Sequence, residues 1–256
     1  MYIDAHAHYE EEAFDEDREI LLEKIKEAGC EAVIDAAQDL ETSRQVIEMA
    51  RQHDFIYCAV GIHPHCASGF NKDSISAIRE LAAEPKCVAI GEIGLDYHYD
   101  FSPRDIQKTA FEAQLALAKE LDMPVVVHDR EAHKDTLDIL EASGLSGEKV
   151  LIHCFTGSRE IASILMKRGY YVSIGGAVTF KNARHIIEAI EVIPLDRILL
   201  ETDCPYMTPV PFRGKRNDSS FIPYTAARIS EVKSVLLDSF YLKCRENTVK
   251  FYGLKL

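Results

Sequence analysis

Short apolar runs alternate along this chain with longer stretches in which apolar residues return every three or four positions. The short runs lie near Tyr2–Ala5, Ala32–Ala36, Ile56–Gly61, Cys87–Glu92, Val125–His128, Val150–His153, Tyr170–Ile174 and Ile198–Glu201. Their length and near-continuous apolar character predict strands buried on both faces. Between them the spacing predicts helices roughly over 17–28, 41–52, 73–83, 104–121, 131–142, 159–168 and 182–190, with more after 222. In the first of these, Ile20, Leu21, Ile25 and Ala28 recur at one-face spacing, and Gly29 follows where a helix C-cap is expected. Ile106, Ala110, Gln114, Leu117 and Leu121 give a second stripe, with Pro103 suited to its first turn and Pro124 stopping it.

Eight buried-type strands separated by helices predict a parallel sheet with covered faces, and eight is the number that closes a TIM barrel. The expected architecture is therefore α/β, a single (β/α)8 barrel spanning residues 1–256. An open doubly wound sheet is the rival, but the first strand is not followed by G-x-G-x-x-G and no Walker A sequence occurs. The stretch from Cys204 to Pro223, rich in Pro, Gly, Arg and Lys, reads as one long loop after the eighth strand. On a barrel that is the functional face, and a loop of that length is more often functional than idle.

Composition narrows the class. A chain of 256 residues can bury a full core, and 28% charged residues with 47% hydrophobic ones disfavour a disordered chain. The N-terminal segment is acidic where a signal peptide would be basic, and no apolar run reaches the length of a membrane span, so a soluble cytoplasmic protein is expected. Seven scattered cysteines without a C-x-x-C pair suit a reducing compartment. A formal charge of -13 disfavours a protein that coats nucleic acid, yet it leaves a nuclease open, because carboxylates gathered around divalent ions contribute to that charge.

The polar residues that matter sit at the C-terminal ends of the expected strands. His6 and His8 follow the first, Glu92 ends the fourth, His128 the fifth and His153 the sixth, while Asp203 lies just past the eighth. In a barrel these ends share the active face. Two residues apart in an extended segment, His6 and His8 can point the same way. Imidazoles with carboxylates suit Zn²⁺, Mn²⁺, Ni²⁺ or Fe²⁺ and fit an all-oxygen Ca²⁺ cage poorly. Six ligands exceed the needs of one four-coordinate ion and could serve two divalent ions if a carboxylate bridges, with Glu92 the natural bridge. Asp4, just before the H-x-H, could orient a ligand histidine from behind.

The motifs D-A-H-A-H (Asp4–His8), G-I-H-P-H (Gly61–His65), G-E-I-G-L-D-Y (Gly91–Tyr97), V-V-H-D-R (Val126–Arg130), H-C-F-T-G (His153–Gly157), E-T-D-C-P-Y (Glu201–Tyr206) and R-G-K-R-N (Arg213–Asn217) run through the whole chain. In that order they resemble the TatD family of metal-dependent deoxyribonucleases, within the wider amidohydrolase-like barrels. The resemblance implies one metal held by His6, His8, Glu92 and Asp203 and a second by Glu92, His128 and His153, with Glu92 and a water bridging. It implies a 3′-to-5′ exonuclease on single-stranded DNA supported by Mg²⁺ or Mn²⁺. Two departures stand out. Asp218-Ser219 replaces the family's common Glu-Pro, and the segment after His8 is unusually acidic at Glu10–Glu12 and Asp15–Asp17.

On this reading the metals activate a water, and Asp203 takes its proton as general base while Glu92 spans the ions. Arg130 is a candidate phosphate contact, as are Arg213, Lys215 and Arg216 in the long loop, with His63 and His65 as further substrate contacts. Phe155, Tyr97 and Tyr206 are candidates for stacking on a base or ribose. The alternatives are a metal-dependent hydrolase of a small ester, lactone, amide or phosphoester, and a barrel that binds metal without turnover. A monomer is the simplest expectation, with no membrane partner.

Overall fold

The computed structural model describes residues 1–256. Its eight strands are β1 (Tyr2–Ala7), β2 (Cys30–Ala36), β3 (Ile56–Val60), β4 (Cys87–Asp96), β5 (Val125–Arg130), β6 (Val150–Ile152), β7 (Tyr171–Ile174) and β8 (Ile198–Leu200). The helices are α1 (Arg18–Glu27), α2 (Leu40–Gln52), α3 (Ser74–Ala82), α4 (Arg104–Glu120), α5 (His133–Ser143), α6 (Arg159–Lys167), α7 (Arg184–Val192), α8 (Ile222–Lys233) and α9 (Leu237–Tyr252). The strands form one sheet in the order β1-β2-β3-β4-β5-β6-β7-β8, with β1 also against β8. Registered neighbours such as β4 and β5 run parallel. This is the (β/α)8 architecture expected from the eight apolar runs.

Two compact units can be distinguished, residues 1–34 with 154–256, and residues 35–153. In the first, α9 is tied to the sheet by buried polar groups. Tyr252 donates to the Ala5 carbonyl at 2.8 Å, and the Asn247 amide donates to Leu195 (2.7 Å) and Ile198 (2.8 Å). In the second, two glutamines seven residues apart on α4 do the equivalent work. Gln114 exchanges hydrogen bonds with both backbone groups of Ile62 (2.7 and 3.0 Å). Gln107 does the same with Asp96 (2.9 and 3.1 Å) and also reaches the Ser102 carbonyl. Buried polar groups are tolerable when so paired, and here they fix where β3 and β4 end. That explains a glutamine in an otherwise apolar stripe.

Element boundaries fall within a few residues of expectation, with instructive differences. The core face of α1 is Leu22 and Ile25, while Ile20 is exposed and Leu21 only partly covered. Three consecutive apolar residues let the stripe be phased one position off. Strand β4 runs on past Glu92 to Asp96 and β5 past His128 to Arg130, so Glu92 and His128 are integral to their strands. Pro103 stands at the N-cap of α4, one place before the first turn. The long loop after β8 ends at a short 3-10 turn over Ser219–Phe221 before α8.

The extension of β4 depends on Gly94, which pairs with His128 at φ +142°. A Cβ there would overlap the His128 carbonyl, and the conformation is one that L side chains rarely adopt. Overpacking costs about 1–3 kcal/mol, and a residue held in a sparsely populated region a further 1–3, roughly. Gly94→Ala is therefore expected to lower stability by roughly 3 kcal/mol or more, read from the midpoint of urea unfolding. An unchanged midpoint would show that β4 and β5 are free to separate here.

Candidate functional site

In residues 1–34 with 154–256, β1 delivers His6 from within the strand and His8 from just beyond it. Alternation places both on one side, with rings edge-on at 4.8 Å and Nε2 atoms 3.0 Å apart. Asp203 follows β8 in a left-handed turn (φ +56°), a conformation Asp tolerates better than most residues. Its amide donates to the His6 carbonyl at 3.0 Å, and the His8 amide donates to Cys204 at 2.9 Å. These bonds bring Asp203 Oδ1 to 3.8 and 3.5 Å from the Nε2 atoms of His6 and His8. Two buried imidazole nitrogens facing one carboxylate oxygen are a donor set that a divalent ion satisfies well.

Behind this group lie two further carboxylates. Glu10 Oε1 stands 3.4 Å from His8 Nδ1, and its side chain is 2% exposed. Burial pushes the Glu10 carboxyl up, while its interaction with His8 pulls back. With Nε2 engaged by a cation, the opposite N–H of His8 faces this acid, the usual way a ligand histidine is oriented. Asp4 acts otherwise than as an imidazole-orienting group. Its Oδ1 accepts from the amides of His6 (3.3 Å) and Thr202 (3.0 Å), and its Oδ2 from the hydroxyls of Thr202 (2.6 Å) and Ser219 (2.7 Å). It fastens main chain near β1 to main chain after β8, and burial raises it to about 7 against those bonds. Ser219, one of the two departures from the family pattern, supplies a hydroxyl to this clasp.

In residues 35–153, Glu92 Oε1 is met by His128 Nδ1 at 2.7 Å and by His153 Nε2 at 2.5 Å. These three atoms form a second group able to hold one ion. His63 Nε2 stands 3.3 Å from the same oxygen. Because His63 Nδ1 accepts the His65 amide at 3.2 Å, its proton belongs on Nε2, where it faces Glu92. Burial lowers the His63 pKa to about 4, so the ring is neutral at ordinary pH.

The other side of His128 is held by Asp96. This fully buried carboxylate accepts from His128 Nε2 at 3.1 Å and His65 Nε2 at 2.8 Å through Oδ2. Its Oδ1 accepts from the amides of His98 (2.9 Å) and Tyr99 (2.8 Å). Burial opposes its ionisation, but His128, the Tyr99 amide and His65 together hold the carboxyl well below the usual range. His128 is pulled both ways: burial disfavours its charge, Asp96 and Glu92 favour it, and the pKa comes out raised. His63, His65 and His128 also converge, but Asp96 and the His65 amide already account for that cluster.

Other expected contacts are placed differently from one another. Arg130 ends β5 with its guanidinium 4.7 Å from the Tyr99 ring. Arg213 lies over Phe180 at 3.9 Å and Lys215 over Phe212 at 5.4 Å. Arg216 forks onto Asp17 (2.8 and 2.7 Å) and donates to Ala13, so an incoming phosphate would have to displace that pairing. Phe155 is buried, Tyr97 lies under Arg104 with its hydroxyl on Asp135, and Tyr206, half-exposed, reaches Glu11. Missed in the sequence were Asp96, Glu10 and Glu201, the last buried and accepting from Cys154 N (2.6 Å) and the Ser173 hydroxyl. A carboxylate closing an apolar run, as in L-D at 95–96, was the available signal.

Replacing the acid that backs a ligand histidine typically costs 10–100-fold in metal affinity, as an order of magnitude. Asp96→Asn is expected to weaken Zn²⁺ or Mn²⁺ binding at the Glu92–His128–His153 group by about that factor, with the His6–His8–Asp203 group unaffected. Titration against a chromophoric chelator, with circular dichroism confirming the fold, reads the two affinities. Equal weakening of both would assign Asp96 a general structural role.

The family model for TatD related DNase matches residues 3–253. YabD of Bacillus subtilis, described as an uncharacterized metal-dependent hydrolase, is 44% identical over 254 residues, covering 99% of this chain and 100% of that one. The 3'-5' ssDNA/RNA exonuclease TatD of Erwinia tasmaniensis is 35% identical over 223 residues, covering 85% and 86% of the two chains. The crystal structure of YjjV, a TatD homolog from Escherichia coli K12, superposes with a TM-score of 0.93 at 29% identity over 99% of this chain and 98% of that one. The motifs, the (β/α)8 sheet and the histidine–carboxylate groups thus agree with a match over nearly the whole length, and the chain belongs to the TatD family of metal-dependent hydrolases.

Proposed function

We propose that this protein is a nuclease that uses two divalent ions to hydrolyse phosphodiester bonds of single-stranded DNA from the 3′ end. The observation that carries the reading is the pair of histidine–carboxylate groups, each able to hold one ion, in a chain similar to exonucleases of that polarity. His6, His8 and Asp203 would hold one ion, and Glu92, His128 and His153 the other. When bound, Mg²⁺ or Mn²⁺ supplies Lewis-acid polarisation of the phosphoryl oxygen and makes an attacking water more acidic; Zn²⁺, Ni²⁺ and Fe²⁺ also suit the donors.

The chain's own residues supply the rest. The Asp203 carboxylate accepts the proton of the attacking water, a role worth about 10²–10⁴-fold in rate. Asp96 keeps the ring of His128 aimed by accepting from its far nitrogen, and Glu10 stands 3.4 Å from the far nitrogen of His8. Arg130, which makes no ion pair with a carboxylate, offers a fork of donors to a phosphate. The second reading, hydrolysis of a small ester, lactone, amide or phosphoester, draws on the acidic balance of -13 and on Arg216 being paired with Asp17. Polarising a carbonyl uses the same electrostatics.

The deciding assay gives the metal-loaded protein single-stranded DNA labelled at the 3′ or the 5′ end, alongside RNA and small esters. Early loss of the 3′ label is expected. His128→Ala should abolish it, and Asp203→Asn should lower kcat by about 10²–10⁴-fold. Turnover of small esters with no cleavage of DNA in Mg²⁺, Mn²⁺ or Zn²⁺ would establish the second reading instead.

A further inference from the structure

Between β4 and α4 the chain carries Tyr97, His98, Tyr99, Asp100 and Phe101. Within residues 35–153, Tyr99 and Phe101 are the only large apolar side chains left exposed, at 47% and 66%. They are not splayed apart. Their rings stack at 5.2 Å between centroids and 14° between planes. Both also meet the ring of His65 edge-on, at 5.4 and 4.9 Å, and His65 in turn lies 6.0 Å from His128. A single imidazole therefore separates this aromatic pair from a residue of the Glu92 group.

The pair is also held rigidly. Asp96 accepts from the amides of His98 and Tyr99, and Gln107 donates to the Ser102 carbonyl on the far side of the loop. Of the neighbouring acids, Asp100 is paired with Arg104 at 2.6 Å, and Glu131 is within hydrogen-bond distance of His98 at 2.8 Å. Arg130, without a carboxylate partner, sits by the Tyr99 ring at 4.7 Å. Exposed parallel rings beside a guanidinium that no carboxylate holds are what a flat aromatic group joined to a phosphate requires. Stacking tolerates any base, because each has a π-face, and a rigid platform loses little entropy when it is filled.

We propose that Tyr99 and Phe101 form a stacking platform for a nucleobase of single-stranded nucleic acid, beside the Glu92–His128–His153 group. Phe101, the more exposed ring, receives the base, and Arg130 meets the adjoining phosphate. The identity of the occupant rests on the nuclease reading above.

The test compares an oligothymidylate with an abasic strand of equal length and charge. Affinity is read by fluorescence anisotropy in an Asp203→Asn background loaded with Mn²⁺, and cleavage rates are read in the otherwise unchanged protein. The base-bearing strand should bind about tenfold more tightly than the abasic one, within the range for a stacked base. Phe101→Ala should bring that ratio close to one, and Phe101→Trp should preserve it. A ratio that survives Phe101→Ala and Tyr99→Ala, or is close to one beforehand, overturns the platform. Cleavage of neither strand by a protein that still discriminates between them in binding overturns the nuclease reading and supports the platform.

Discussion

The carboxylate of Asp96 lies wholly out of water, and a buried charge persists only where donors surround it. Four do: the ring nitrogens of His65 and His128 on one oxygen, and the amides of His98 and Tyr99 on the other. Much follows from that demand. The strand must continue past Glu92 to deliver Asp96, the loop must turn back at once to offer its amides, and both imidazoles must face inward. The same atom group thereby sets the ring of His128 and the path of the loop that exposes Tyr99 and Phe101. Rigidity of the loop and orientation of the His128 ring are one constraint, not two.

How β4 accommodates this is a matter of close backbone approach. Gly94 lets the His128 carbonyl come where a side chain would otherwise stand, and the β4–β5 register shifts between Ile90 and Ile93. Irregularity at this point turns Glu92 and Asp96 to their separate tasks, Glu92 toward His128 and His153 and Asp96 toward His128 and His65. Local departures from an ideal strand near a functional group are common for this reason.

What could be read in the sequence followed from how strongly each feature was signalled. The eight strands were legible because burial on both faces leaves continuous apolar runs. His6, Glu92, His128, His153 and Asp203 stood out together because, although one polar residue at a strand end is usually bland, several at once at the ends of such runs have few bland explanations. Asp96 was hidden because Gly91, Glu92 and Gly94 read as the end of the strand before it. Glu10 was hidden in an acidic stretch where solvent exposure is the ordinary expectation, yet its side chain is 2% exposed against His8. Tyr99 and Phe101 follow no periodic pattern, and only coordinates show that they stack. In α1, Ile20, Leu21 and Leu22 are all apolar, so composition could not phase the helix, and packing chose Leu22.

The net charge of -13 is less forbidding to a polyanion than it looks, because part of it lies in the interior. Surface pairs such as Asp17 with Arg216 and Asp100 with Arg104 cancel and contribute none of it. In the interior the balance is different in kind. Asp4, Asp35, Glu92, Asp96 and Glu201 are buried, with Glu10 shielded beside His8, and no lysine or arginine is buried with them. Buried carboxylates without basic partners must bind protons, be solvated by donors, or attract cations. Asp4 and Asp96 are provided with donors from the protein itself. Glu92 faces imidazole nitrogens instead, as does the partly exposed Asp203, and a neutral imidazole offers only one N–H for its two nitrogens. At each of these carboxylates a divalent cation of its own would answer both needs, since it would neutralise the acid and accept the lone pairs of the rings.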